Sequence, residues 1–122
     1  MTTQQVATRL LELCNAGQWK EAQDELFHDD AISIEMEGVQ GFPHKIQGKE
    51  AIAQKGEHWA SMVEEVHKMH ASDLVIAGDH FSCKWEMDTT MKGVGRNKSE
   101  EIAVFKVEDG KIVSEQFFYA LD

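Results

Sequence analysis

Glu100-Glu101-Ile102-Ala103-Val104-Phe105-Lys106-Val107-Glu108-Asp109-Gly110-Lys111-Ile112-Val113-Ser114-Glu115-Gln116-Phe117-Phe118-Tyr119 is two strand-like runs about a turn signal. Ile102–Val107 and Ile112–Tyr119 are rich in β-branched and aromatic residues, which suit a pleated, half-buried surface. Glu108-Asp109-Gly110-Lys111 joins them: Gly110 accepts φ > 0 without steric cost, and Asp109 suits the turn before it. Loop length then decides which side chains share a face. A two-residue turn at Asp109-Gly110 pairs Val107 with Ile112 and sends Glu115 to the face opposite Phe105. A three-residue loop, Glu108-Asp109-Gly110 with a glycine bulge, pairs Val107 with Lys111. Val113, Glu115, Phe117 and Tyr119 then join the face of Phe105. The order Glu-Asp-Gly favours the second arrangement.

Upstream of the hairpin the strand pattern continues. Phe81, Cys83, Trp85 and Met87 alternate with His80, Ser82, Lys84, Glu86 and Asp88, the signature of a half-buried strand. His67, Met69 and Ala71 share one face of an earlier run, and Leu74-Val75-Ile76 leads into the turn Gly78-Asp79. With the Gly93–Arg96 loop, everything from Val66 onward reads as a four-strand antiparallel run.

The first half is different. Thr2 followed by Gln5 fits a capping box for a helix with Val6, Leu10 and Leu13 on one stripe and a stop at Gly17. Trp19, Ala22 and Leu26 mark a short second helix ending near His28-Asp29-Asp30. Ala31–Glu37 alternates and predicts a strand. Gly38 to Pro43 is a loop, and Lys45–Gln47 a short return strand. A third helix runs from Gly48 to about Glu64 with Ile52, Gly56, Trp59 and Val63 on its buried stripe. A glycine on that stripe costs ~1 kcal/mol against alanine and leaves room for something else. The order predicts one α+β domain over residues 1–122: a curved, antiparallel-rich sheet wrapped around three N-terminal helices.

Composition narrows the function classes. The 122 residues carry a net charge of −10, which repels nucleic-acid phosphate and anionic lipid, so neither is expected as a partner. The basic residues Lys92, Arg96 and Lys98 flank glycines and read as a solvated hairpin loop. No apolar run approaches the ~18 residues of a membrane span, and Met1–Gln5 has no signal-peptide pattern. Cys14 and Cys83 read as small buried hydrophobes rather than a disulfide framework. Together these features predict a cytoplasmic protein. The six histidines are scattered; His67 and His70 stand three apart on a strand, hence on opposite faces, and no metal or other cofactor is expected.

Asn15-Ala16-Gly17, Leu26-Phe27-His28-Asp29-Asp30-Ala31, Gly48-Lys49-Glu50-Ala51-Ile52 and Asp109-Gly110-Lys111-Ile112-Val113 before an aromatic strand resemble, as an ordered set, the SnoaL-like polyketide cyclases. The wider superfamily includes nuclear transport factor 2 and ketosteroid isomerase. The resemblance spans nearly the whole chain. It implies a cone-shaped, cystatin-like α+β barrel with an apolar pocket between sheet and long helix, and pairing into homodimers through the outer sheet face. Residue by residue it is less complete. The isomerase's general-base position falls on Glu35, also a carboxylate. Its two oxyanion donors fall near Leu10 and on Ala103, so neither is present, and a polarised donor is worth several kcal/mol of transition-state stabilisation. The catalytic set of limonene epoxide hydrolase falls near Ala103, Glu101 and Phe117 and does not match.

On the three-residue-loop reading, Glu35, Glu101, Glu115 and His67 gather in the cone as candidate catalytic groups. Trp59, Trp85, Phe105, Phe117 and Tyr119 line it as substrate walls. Carboxylates gathered without a counter-charge cannot all ionise, so one keeps its proton or pairs with His67. Such a pair suits proton abstraction beside a carbonyl, or dehydration. Each residue also has a plain structural reading. Glu35 alternates with Ile32, Ile34 and Met36, whose face could be the buried one. His67 could be a hydrogen-bonded structural histidine, and Glu101 a solvated charge at a strand start. Ile102, Val104, Ser114, Gln116 and Phe118 point away from the cone and predict a homodimer surface. Two functions stay open: an acid–base lyase, isomerase or cyclase acting on a small, largely apolar, carbonyl-bearing ligand, and a non-catalytic binding or interaction domain.

Overall fold

The structure, a computed structural model, describes residues 1–39 and 41–120. Helix α1 spans Thr3–Asn15 and is capped as its sequence requires. The Thr2 hydroxyl accepts from the Gln5 amide at 3.1 Å, and the Gln5 side chain accepts from the Thr2 amide at 2.9 Å. Its stripe of Val6, Leu10 and Leu13, joined by Ala7 and Cys14, is buried. Helix α2 spans Trp19–Leu26, and the chain passes directly into strand β1, Phe27–Ile34. The expected helix end near His28-Asp29-Asp30 is therefore corrected. Phe27 already pairs with Ile112, and the register shift before Ile32 shows those polar residues bulging out of a strand rather than closing a helix.

Strand β2, Lys45–Gln47, returns antiparallel to β1. Gln40, within the loop between them, lies outside the described residues. Helix α3 spans Lys49–Ser61 and ends before Glu64; Val63 opens strand β3, Val63–Ala77, instead of completing the helix stripe. Strands β4 (His80–Met91), β5 (Gly95–Glu108) and β6 (Lys111–Phe118) complete the antiparallel run.

The sheet order is β2-β1-β6-β5-β4-β3, with β1 parallel to β6 and every other pair antiparallel. The sheet is mixed and does not close, so the expected cone-shaped barrel is an open, curved sheet. Helix α3 touches both β1 and β3, which are four strand positions apart. At ~4.8 Å per strand a flat sheet would hold them farther apart than one helix diameter of ~10 Å, so the sheet curves around the helix. On the free edge of β3, Asn15 stands in for a further strand: its amide donates to the Ala71 carbonyl at 3.0 Å and accepts from the Ala71 amide at 2.7 Å. The core lies between α1 and the inner sheet face, with Phe81 stacked on Phe105 at 4.7 Å between ring centroids.

Candidate functional site

The β5–β6 turn is built differently from the expected one. Val107 pairs with Ile112 and Glu108 with Lys111, so the connection is two residues, Asp109-Gly110. Both have left-handed backbones, with φ of 50° and 76°. That geometry matches the twist of the flanking strands. Taken alone, this pairing would put Glu115 on the outer face. The ladder then shifts register: Lys106 pairs with Ser114 and Phe105 with Glu115, leaving Val113 as an extra residue. A bulge inside the strand has replaced the bulge expected in the loop. It returns Glu115, Phe117 and Tyr119, though not Val113, to the face of Phe105. Glu115 is 7% exposed.

Strand β1 lies beside β6 with Ser33 opposite Glu115. Ala31 and Ser33 are buried, while Ile32 and Ile34 turn to the other face. Glu35, which continues the small-residue face, therefore points inward. The isoleucines misled the pattern because the outer face of this sheet is itself partly apolar.

A connected set of polar groups results. The Glu35 carboxylate holds Lys55 on Oε1 at 2.6 Å and accepts from the Tyr119 hydroxyl on Oε2 at 2.6 Å. Lys55 also donates to Ser33 Oγ at 3.0 Å, and Ser33 in turn donates to Glu115 Oε1 at 2.8 Å. The Lys55 ammonium sits 5.0 Å from the centroid of the Phe117 ring. The side chains of Lys55 and Glu35 are 14% and 12% exposed, so this is an ion pair largely removed from water. The expectation of carboxylates without a counter-charge is corrected: Lys55 of α3 supplies one. It falls between Ile52 and Trp59 at helical spacing and next to Gly56, the signal by which it could have been found.

These groups line a cavity of about 830 Å3 between α1, α2, α3 and the sheet. Glu35, Glu101 and Glu115 all border it, and so do the predicted wall residues Trp59, Trp85, Phe105, Phe117 and Tyr119. Trp19 joins them and lies over Gly56; a Cβ at that glycine would stand 2.7 Å from the Trp19 ring. The room left on the α3 stripe is thus room for Trp19.

His67 is the exception. The β3–β4 ladder pairs Val66 with Thr89 and Lys68 with Asp88, so His67 is an extra, bulged residue. Its Nε2 lies 2.7 Å from the hydroxyl of Thr90, which alternates with buried Thr89 and faces outward. His67 is exposed, does not border the cavity, and is not a partner of Glu115. Period-two alternation placed it with Met69, and the bulge breaks that alternation.

Burial drives the electrostatics. It raises the Glu115 carboxyl from the usual 4.5 to about 7; the Ser33 hydroxyl and Lys55 pull it down, and Glu35 pushes it up. Burial likewise raises Glu101 to about 7, helped by Glu35 and Glu115 and opposed by Lys55. Tyr119 is pushed up by burial and by donating to Glu35, so it keeps its proton. Both oxygens of Glu35 are occupied. Glu115 Oε2 makes no hydrogen bond among the described residues and is not sealed from the cavity. Glu115 and Glu101 are therefore the carboxyls able to exchange a proton with a guest near neutral pH. Cys14 and Cys83 are free, buried and pushed up to about 12 by burial, which leaves both unreactive. Among the described residues no three metal-ligating side chains gather, and no helix is long and apolar enough to cross a membrane.

A family model of the SnoaL-like domain matches residues 1–119. A Mesorhizobium loti protein provisionally described as a SnoaL-like polyketide cyclase is 32% identical, with a TM-score of 0.88 over 98% of this chain and 100% of that one. A cystatin-like-fold protein of unknown function from Xanthomonas campestris is 20% identical, with a TM-score of 0.83 over 99% and 92% of the two chains. TerC, co-crystallised with polyporic acid, shares the fold at 12% identity, with a TM-score of 0.80 over 97% and 91%. No curated protein sequence matches the chain. The expected α+β, cystatin-like architecture stands, and the chain belongs to the SnoaL-like family.

Proposed function

We propose that the chain is an acid–base catalyst of the lyase, isomerase or cyclase type, acting on a small, largely apolar compound that carries a carbonyl. One observation supports this above the rest: Glu115, with a free oxygen toward an aromatic-walled cavity and a carboxyl raised to about 7, is poised to take or give a proton at neutral pH. Glu101, raised to the same range, is the second proton carrier. Glu35 is a positioning residue that holds Lys55 and Tyr119. Lys55, reaching Glu115 through Ser33, is the cation nearest to charge developing on a substrate oxygen. This assignment does without the two oxyanion donors of the isomerase, whose positions hold buried Leu10 and Ala103.

The test is proton exchange on a simple carbonyl probe. Phenylacetone in D2O is followed by proton NMR with and without the protein, from pH 5 to 9. Exchange of its α-protons faster than in buffer, changing through pH 7 and reduced ~100-fold or more by E115Q, is the expected result. Binding of the ketone without faster exchange would favour the second function, a binding domain with no catalysis.

The protein works as a homodimer in this proposal. Val75, Ile102 and Phe118 on the outer sheet face are 61%, 54% and 44% exposed and border a shallow hollow of about 500 Å3. An apolar strip of this kind is matched by its own copy across a two-fold axis. The two free, buried thiols fit a reducing compartment, the cytoplasm.

A further inference from the structure

The cavity carries more acid than base. Glu35, Glu101 and Glu115 border its interior against one cation, Lys55, and both oxygens of Glu35 are already taken. Exposed Lys98 and Glu100, which also line it, offset each other. Glu115, more than nine-tenths buried, leaves Oε2 without a partner among the described residues. On α2, Gln23 Oε1 is a buried acceptor with no partner among the described residues, and Gln23 borders the same cavity. Glu115 Oε2 opens to the cavity and is free to accept from a guest, whereas Gln23 Oε1 is sealed in the wall, where an unpaired acceptor costs ~1–3 kcal/mol. Around them stand all three tryptophans of the chain, Trp19, Trp59 and Trp85, with Phe105 and Phe117. Aromatic faces attract cations, most of all where water is excluded.

We propose that this cavity takes an organic cation: a protonated or quaternary amine whose apolar part lies against the tryptophans and whose charge sits between Glu115 and Glu101. The inference rests on the cavity being a ligand site, and not on catalysis. It narrows the ligand from a small apolar compound to one with a basic nitrogen. Above pH 7, where both glutamates are ionised, a neutral ligand leaves their charge unbalanced and an anion adds to it.

Binding is then linked to pH. The charged and titratable groups facing Glu115 and Glu101 are Glu35 after β1, Lys55 on α3, Tyr119 after β6, Cys14 on α1 and Cys83 on β4. Both thiols and the phenol stay protonated, so the two glutamates carry the titration. With carboxyls near 7, the ionised fraction rises about tenfold between pH 6 and pH 8.

Benzyltrimethylammonium, whose charge does not titrate, and neutral phenylacetone are the probes, read by the fluorescence of the three cavity tryptophans and by calorimetry. The expected result is cation binding about tenfold tighter at pH 8 than at pH 6, with ketone binding flat over the same range. E115Q and E101Q, each checked for folding by circular dichroism, weaken the cation at pH 8 and flatten its pH dependence. Ketone binding without cation binding, cation binding that is flat with pH, or cation binding untouched by both variants overturns the inference and leaves the ligand-site reading intact. Binding of neither probe overturns both.

Discussion

Replacing Glu115 by Gln removes one carboxyl and keeps the shape, because the glutamine oxygen still accepts from Ser33. The folded protein holds the Glu115 proton up to about pH 7, whereas the unfolded chain releases it near 4.5. Between those values the folded state binds more protons, so stability falls as pH rises through that window. Above pH 7 the loss is complete: the difference between 4.5 and about 7, at ~1.4 kcal/mol per pH unit, is about 3 kcal/mol. E115Q escapes that loss. Its unfolding free energy relative to the parent therefore increases by about 3 kcal/mol from pH 4.5 to pH 8. Urea denaturation at half-unit pH intervals, followed by tryptophan fluorescence, measures it. A parent–variant difference that stays level within about 1 kcal/mol across the range would refute the reasoning, since an ordinary carboxyl at Glu115 leaves nothing for glutamine to relieve.

Three other perturbations test the remaining parts of the site and surface. K55M leaves the Glu35 charge in a largely dry place with Tyr119 as its remaining partner among the described residues; it should cost about 3–5 kcal/mol at pH 8, and adding E35Q should recover most of that loss. Thermal melts that show no recovery in the double variant would mean Lys55 acts through packing alone. G56A gains ~1 kcal/mol of helix propensity but sets a Cβ 2.7 Å from the Trp19 ring, where overpacking costs ~1–3 kcal/mol. A net loss with altered tryptophan emission is expected, and a net gain would show that Trp19 moves freely. Light scattering should give the parent about twice its 13.8 kDa chain mass and I102D the mass of one chain; a parent at 13.8 kDa would sink the dimer.

Local sequence carried much of the architecture. The Thr2–Gln5 capping box, the Val6–Leu10–Leu13 stripe and the alternation of Phe81 to Met87 are settled by residues within a few positions of one another; the turn after Val107 was legible as a turn but not in its length, since the sequence favours a three-residue loop and the fold has the two-residue Asp109-Gly110. With the spacing of Trp19, Ala22 and Leu26 and of Ile52, Gly56 and Trp59, they predict the three helices and the antiparallel run, and the ordered motifs point to the family. Period-two alternation also marked Trp85, Phe105, Phe117 and Glu101 as inward. It failed at His67, where one bulged residue turned the side chain outward; helical spacing failed at the ends of α2 and α3, where strand pairing at Phe27 and Val63 overrode it.

The candidate site was decided by tertiary structure. Glu115 reaches the cavity although the turn is of the kind that would have sent it outward, because a bulge at Val113 restores the register beside Ser33. Ser33 and Glu115 are 82 residues apart, Glu35 and Tyr119 are 84 apart, and Lys55 arrives from a helix between them. Periodicity describes the face a residue takes within its own element. It carries no information about a counter-charge on another element, nor about a single extra residue in a ladder that reverses every face beyond it. By itself the sequence determined a SnoaL-like sheet around three helices with an acid-rich interior. Only the folded chain decided which acids are paired, which are left facing the cavity, and that a lysine stands among them.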